Sequence, residues 1–177
     1  MHREGKAMES ILFHLAQELG DELTTQNLKI ATAESCTGGG LGYWLTSVPG
    51  SSTWYKGGFI AYTPDAKLQM LGVKPEVLSA FGTVSEHTAR DMAEGTLEKN
   101  CVDLSVAITG VAGPGGGTKE NPVGTVWLAI ARRDFATETW AEYFKGDRQS
   151  IRLQAIQKAL EKLLEAIHNK VEKVPTI

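Results

Sequence analysis

Cysteine is nearly absent from this chain: its 177 residues include two, Cys36 and Cys101, far apart and in no CxxC spacing. A disulfide framework is therefore not expected, and a reducing compartment fits. Histidine is scarce too. His2, His14, His87 and His168 are scattered singletons, with no HExxH and no paired His/Cys cluster, so no metal site emerges. No apolar run approaches the roughly 18 residues that a membrane span needs. The N-terminus is also a poor signal peptide, because after Arg3 and Lys6 the stretch Ile11-Leu12-Phe13 is broken by His14. The expected location is the cytoplasm. A basic excess is missing as well: the formal net charge is -3, against the pattern of a general nucleic-acid binder. A small anionic ligand held by a few local donors stays compatible with that charge.

What is present is ordinary globular material. Hydrophobic residues make up 42% and charged residues 22%, so disordered, collagen-like and coiled-coil readings fall away. The length fits one domain spanning 1–177, with an ordered core expected over about 8–170 and loose ends at Met1 to Lys6 and beyond Lys170. Such a chain buries about 70% of the surface its unfolded form exposes, enough for one core.

Helix and strand signals alternate. Residues 8–20 read as an amphipathic helix, with Ile11, Leu12, Leu15, Ala16 and Leu19 on one face and Gly20 ending it. Strands are expected over Leu28 to Ala33 and Gly58 to Tyr62, separated by a helix from Thr37 to Val48. Pro64 and Pro75 open two short helices that close at Gly72 and Gly82. Ser85 caps a helix running to about Lys99. Three strands then follow closely, over Val102 to Ile108, Val123 to Ala131 and Glu138 to Phe144. A last helix opens at Asp147, with Ile156, Leu160, Leu163, Leu164 and Ile167 as its apolar stripe. The pattern implies a layered α/β/α domain, and the close succession of the last strands makes the sheet mixed, parallel and antiparallel.

Four stretches bear chemistry. In Ala33-Glu34-Ser35-Cys36-Thr37-Gly38-Gly39-Gly40 a strand turns sharply into a helix, which presents a side chain at the corner and aims helix amides at whatever binds there. Ser35 is a candidate nucleophile although GxSxG is absent, and Cys36 is its rival, with a thiol that a helix N-terminus would acidify, although a buried structural cysteine is the more usual outcome. A plain helix cap with glycines for close packing is the competing explanation. Tyr62-Thr63-Pro64-Asp65-Ala66-Lys67 offers a base, since a desolvated lysine loses its proton more readily. The glycine-rich run from Thr109 to Thr118 is neither a Walker A loop nor a GxGxxG, which removes ATPase and dinucleotide-fold readings. It is left as a loop able to bring backbone close to a ligand. Gly146-Asp147-Arg148, with Arg152 one helical turn on, suits a phosphate or carboxylate.

Taken together these pieces form an ordered set. Thr32 to Gly39, Pro49 to Ser52, Gly58-Phe59 with Tyr62, Ala66-Lys67, Val84-Ser85-Glu86, Thr109 to Pro114, Pro122 to Val126 and Gly146-Asp147-Arg148 succeed one another across nearly the whole chain. The set resembles the nicotinamide-nucleotide amidohydrolase family, the C-terminal domain of the CinA (competence-damage-inducible) proteins, in its stand-alone form. That resemblance implies hydrolysis of nicotinamide mononucleotide to nicotinic acid mononucleotide and ammonia, without cofactor or metal. It also implies a catalytic set falling on Ser35, Tyr62 and Lys67. Amides around Thr37, Gly38 and Gly39 are then expected to hold the oxyanion, and Thr109, Gly110, Gly113 and Arg148 to bind the substrate and its phosphate. A homo-oligomer, by default a dimer, is expected. Two other classes stay open at this point: a non-catalytic nucleotide-binding regulatory module, and a DNA-binding partner, which the acidic balance disfavours.

Overall fold

The computed structural model describes residues 2–168. Helix α1 (His2–Thr25) is followed by β1 (Ile30–Glu34), α2 (Gly40–Thr46), a single 3-10 turn at Ser51–Thr53, β2 (Tyr55–Ile60), α3 (Pro64–Leu71), α4 (Pro75–Phe81) and α5 (Glu86–Asn100). The chain then forms β3 (Leu104–Gly110), β4 (Thr125–Arg132), β5 (Glu138–Tyr143) and α6 (Arg148–His168). The strands make one sheet in the order β2-β1-β3-β4-β5. β1 runs parallel to both neighbours, and β4 is antiparallel to β3 and β5, so the sheet is mixed.

The two sheet faces carry side chains of different size. Ile30, Leu104, Val106, Ile108, Val126, Leu128 and Ile130 meet the apolar stripes of α1, α2 and α6 on one face. Ala33, Ala107, Ala129 and Ala131 line the other, where small side chains let α5 lie close to the strands. The approach is close enough for the Ser105 hydroxyl to donate to the Ala93 carbonyl at 2.6 Å. These two buried layers give the α/β/α sandwich. The central strands β1 and β3 are buried on both faces, and that burial includes the polar residues Thr32, Glu34, Ser105 and Thr109.

Several boundaries differ from the sequence expectation. The N-terminal residues expected to be loose are helical from His2, while Met1 and the tail after Lys170 lie outside the described residues. Nor does Gly20 end α1. A Cβ there would meet the Trp54 ring at 2.8 Å, so this glycine makes room for an aromatic, and the helix continues to Thr25. The turn then closes through Asn27 at φ 52. Helix α2 begins at Gly40 rather than Thr37, because Gly38 and Gly39 take left-handed φ values of 59 and 92. β2 starts earlier and ends sooner than expected, which leaves Tyr62 in the connection to α3.

A second glycine decides a close approach. At Gly95 in α5, an added Cβ would collide with the backbone carbonyl of Leu71 at the end of α3. A backbone atom cannot swing aside, and overpacking costs about 1–3 kcal/mol or more. Gly95→Ala is therefore expected to lower the melting temperature measurably. An unchanged melt would mean that α3 and α5 are farther apart than described.

Candidate active site

Parallel strands deliver the site at their C-terminal ends. β1 finishes at Glu34, and the Ser35 amide extends its ladder by donating to the Ile108 carbonyl of β3 at 2.9 Å. Ser35 is thereby held at the corner where the chain leaves the sheet. Helix α3 supplies its neighbour. Pro64 sits in the first turn and Thr63 caps it, accepting from the Ala66 amide at 3.1 Å. One turn on, the Lys67 side chain runs inward to full burial, 1% exposed. Its Nζ donates to Ser35 Oγ at 2.9 Å and to the Ala61 carbonyl at 2.8 Å. Ala61 is itself fixed, since its amide donates to the Glu34 carbonyl at 2.9 Å.

No carboxylate pairs with Lys67 among these contacts, and burial disfavours its charge. Desolvation pushes the ammonium down from 10.5 to about 8, against a smaller opposing effect of the Cys36 thiolate. An amine near neutrality beside a serine hydroxyl is a nucleophile and base pair in one contact. Cys36 goes the other way: burial pushes its thiol up from 9.0 to about 11. The expectation that the helix terminus would acidify Cys36 fails because desolvation outweighs the lowering influences around the thiol, and the buried cysteine is a structural one.

Glu34 is the residue that sequence reasoning passed over. It is 2% exposed, and its carboxylate accepts from the amides of Gly39 at 3.0 Å, Leu41 at 3.0 Å and Gly42 at 2.8 Å. A charged side chain thus neutralises the positive end of α2 from within. The legible signal was a glutamate closing an apolar strand directly before a run of glycines, where a buried carboxylate needs many donors. The Gly38 amide is also engaged, donating to the Ser35 carbonyl at 3.0 Å. Of the amides in this turn, those of Cys36 and Thr37 have no acceptor within the described residues. Gly38 and Gly39, expected as oxyanion donors, are thus occupied. Glu34→Gln replaces one acceptor oxygen by an NH2 facing amide donors. It is expected to lower stability by roughly 1–3 kcal/mol, read by denaturant unfolding, and an unchanged midpoint would remove the carboxylate from this role.

The remaining expected residues distribute unevenly. Ser35, Tyr62, Lys67, Thr109, Gly110 and Arg148 all line one cavity of about 220 Å3. Thr37, Gly38, Gly39 and Gly113 do not line it. Thr109 is buried at the end of β3, where its hydroxyl donates to the Thr83 carbonyl at 2.7 Å. Gly110 is demanded by packing, because a Cβ would sit 2.7 Å from the Thr125 carbonyl of β4. Gly113, at φ +78, presents its carbonyl to Arg148 Nη1 at 2.7 Å. The other Arg148 nitrogen donates to the Tyr62 hydroxyl at 2.8 Å. Tyr62 is half exposed at the mouth and makes no hydrogen bond with Ser35 or Lys67. Arg148 therefore clasps the α3 approach to the glycine loop.

This arrangement has relatives. The family model described as "CinA C-terminal domain" matches residues 12–167, almost the whole chain. The chain belongs to the CinA C-terminal domain family. Within that family it is 44% identical over 155 residues to nicotinamide-nucleotide amidohydrolase PncC of Shigella flexneri, covering 88% of this chain and 94% of that protein. It is also 47% identical over 163 residues to a CinA-like protein of Akkermansia muciniphila, of which it covers 37%. Against the latter, this CinA C-terminal domain corresponds to about a third of a longer chain. Among solved structures, the competence/damage inducible protein CihA from Agrobacterium tumefaciens superposes with a TM-score of 0.86 at 42% identity, over 90% of this chain and 96% of that one. A CinA superfamily protein from Escherichia coli gives 0.84 at 36% identity, over 88% and 90%. The same α/β/α layering thus runs through the CinA family.

Proposed function

We propose that the protein hydrolyses the carboxamide of nicotinamide mononucleotide, giving nicotinic acid mononucleotide and ammonia. The observation that carries this reading is the buried 2.9 Å contact between Lys67 Nζ and Ser35 Oγ, in a chain 44% identical to an enzyme named for that reaction. In its neutral form, Lys67 turns a lone pair toward the Ser35 hydroxyl and keeps an N–H on the Ala61 carbonyl. Ser35 Oγ attacks the amide carbon as its proton passes to Lys67. The oxyanion takes the amide of Cys36, which lines the cavity beside Ser35, a contribution of about 3 kcal/mol for such a donor in comparable sites. Protonated Lys67 then gives its proton to the departing amine, and ammonia leaves an acyl ester on Ser35. Water attacks the ester, Lys67 takes a proton from it, and Ser35 is regenerated with release of the acid. Tyr62 is assigned to the substrate rather than to the proton relay, because its hydroxyl, which accepts from Arg148, makes no hydrogen bond with Ser35 or Lys67.

Purified protein incubated with nicotinamide mononucleotide, nicotinamide riboside and nicotinamide, with ammonia measured, tests the reading. Release is expected from the mononucleotide first. Nucleotide binding without ammonia would favour a regulatory module instead. Nucleophile and base are both side chains here, so prolonged chelation is expected to leave turnover unchanged. Loss on chelation with recovery on added zinc would overturn the serine mechanism.

A further inference from the structure

Part of the cavity around Ser35 is walled by a segment that belongs to no helix or strand. Thr83 and Val84 line it, in the strap 82–85 that joins α4 to α5. A segment outside any ladder leaves its backbone carbonyls to find other donors. Side chains supply them here. Thr88 Oγ1 on α5 donates to the Gly82 carbonyl at 2.6 Å, and Thr109 Oγ1 on β3 to the Thr83 carbonyl at 2.7 Å. Asn121 Nδ2 donates to the Val84 carbonyl at 3.1 Å. The Ser85 carbonyl enters α5, accepting from the Ala89 amide at 3.0 Å.

Two of these three donors stand on buried residues of a helix and a strand, Thr88 and Thr109. Asn121 instead reaches in from the glycine-rich loop. Pro114 to Glu120 are exposed, and Asn121, half-buried, closes the far end of that stretch. A turn fixes it there: the Thr118 amide donates to the Asn121 carbonyl at 2.9 Å, and the Asn121 amide to Thr118 Oγ1 at 3.0 Å. Both bonds use the Asn121 backbone, so they survive a change of its side chain. The near end of the loop is tied by Arg148, which holds the Gly113 carbonyl. We propose that Asn121 is a positioning residue of this active site, holding the Val84 carbonyl and thereby the wall that bound substrate touches. This rests on the nucleotide amidase reading and adds a residue that acts on the substrate through Val84. Without the donor, the Val84 carbonyl turns to water and the wall loosens. Ser35 and Lys67, placed by β1 and α3, keep their contact. Binding then suffers while the chemical step does not.

Asn121→Ala removes the donor. Asn121→Asp replaces it, at nearly the same size, by an oxygen that faces the Val84 carbonyl and repels it. If Asn121 merely filled space, Asn121→Asp would be the milder change; as a donor, its loss makes that variant the harsher one. KM for nicotinamide mononucleotide is expected to rise about fivefold in Asn121→Ala and further in Asn121→Asp, with kcat within about twofold of wild type. A kcat loss as large as the KM rise, or a milder effect of Asn121→Asp, would overturn the assignment. Hydrogen exchange supplies a readout independent of turnover. The Thr88 and Ala89 amides both end on Ser85, at 3.2 and 3.0 Å, and so report whether the strap stays docked. Their exchange is expected to quicken in the same order, Asn121→Asp beyond Asn121→Ala, and equal rates in all three proteins would overturn the assignment. If the wild type releases no ammonia, the amidase reading fails while the order of exchange rates still decides whether Asn121 holds the wall.

Discussion

Ser35→Ala is expected to abolish turnover, by about 10^4-fold or more, while the protein stays folded and still binds its nucleotide. Among the described residues the serine hydroxyl is the one nucleophilic group that Lys67 Nζ hydrogen-bonds, and its replacement removes an oxygen without touching the backbone bond from its amide to Ile108. Cys36, next along the chain, is the control. Its thiol is pushed up to about 11 and stays protonated at neutral pH, so Cys36→Ala should keep much of the activity. Ammonia release by the two variants, measured alongside their melting curves, separates the cases. An active Ser35→Ala with an inactive Cys36→Ala would move the nucleophile to the thiol.

Lys67 should set the pH dependence. With its ammonium pushed down to about 8, the neutral base is a minority species at pH 7 and the majority above 8. kcat/KM is therefore expected to rise with pH and to level off above about 8. Lys67→Arg keeps a positive charge but does not release a proton in this range, and should be nearly as inactive as Lys67→Met. Near-normal turnover in Lys67→Arg would reduce the lysine to a fixed charge. Stability carries the same signature. A lysine whose folded pKa is depressed binds fewer protons folded than unfolded, so its burial weighs against the fold fully below about 8. That weight lifts as pH rises from about 8 to 10.5, the unperturbed value. The shift corresponds to roughly 3 kcal/mol. Across that window, wild type should gain stability relative to Lys67→Met by an amount of this order, and parallel stability curves for the two proteins would show that Lys67 is not desolvated.

Much of this was legible in the chain itself. Alternating apolar periods, Pro64 and Pro75 at helix starts and Ser85 as a cap determined the order of elements and the α/β class, because each is a local preference of a few neighbouring residues. The short link between Arg132 and Glu138 determined the antiparallel pairing of β4 and β5, since no crossover fits there, and the glycine-rich link before β4 carries no helix pattern for a crossover to β3. Ser35, Tyr62 and Lys67 were visible as motif positions for the same local reason. What the tertiary structure decided were the contacts between segments distant in sequence. Lys67 meets Ser35 across 32 positions, and Arg148 joins Gly113 and Tyr62 across 35 and 86. Gly20 reads as a helix stop until Trp54 is seen against it. Glu34 reads as the end of a strand until three amides of α2 close on its carboxylate. A sequence lists donors and acceptors, but burial and distance determine which of them meet, and those two quantities exist only once the chain has packed.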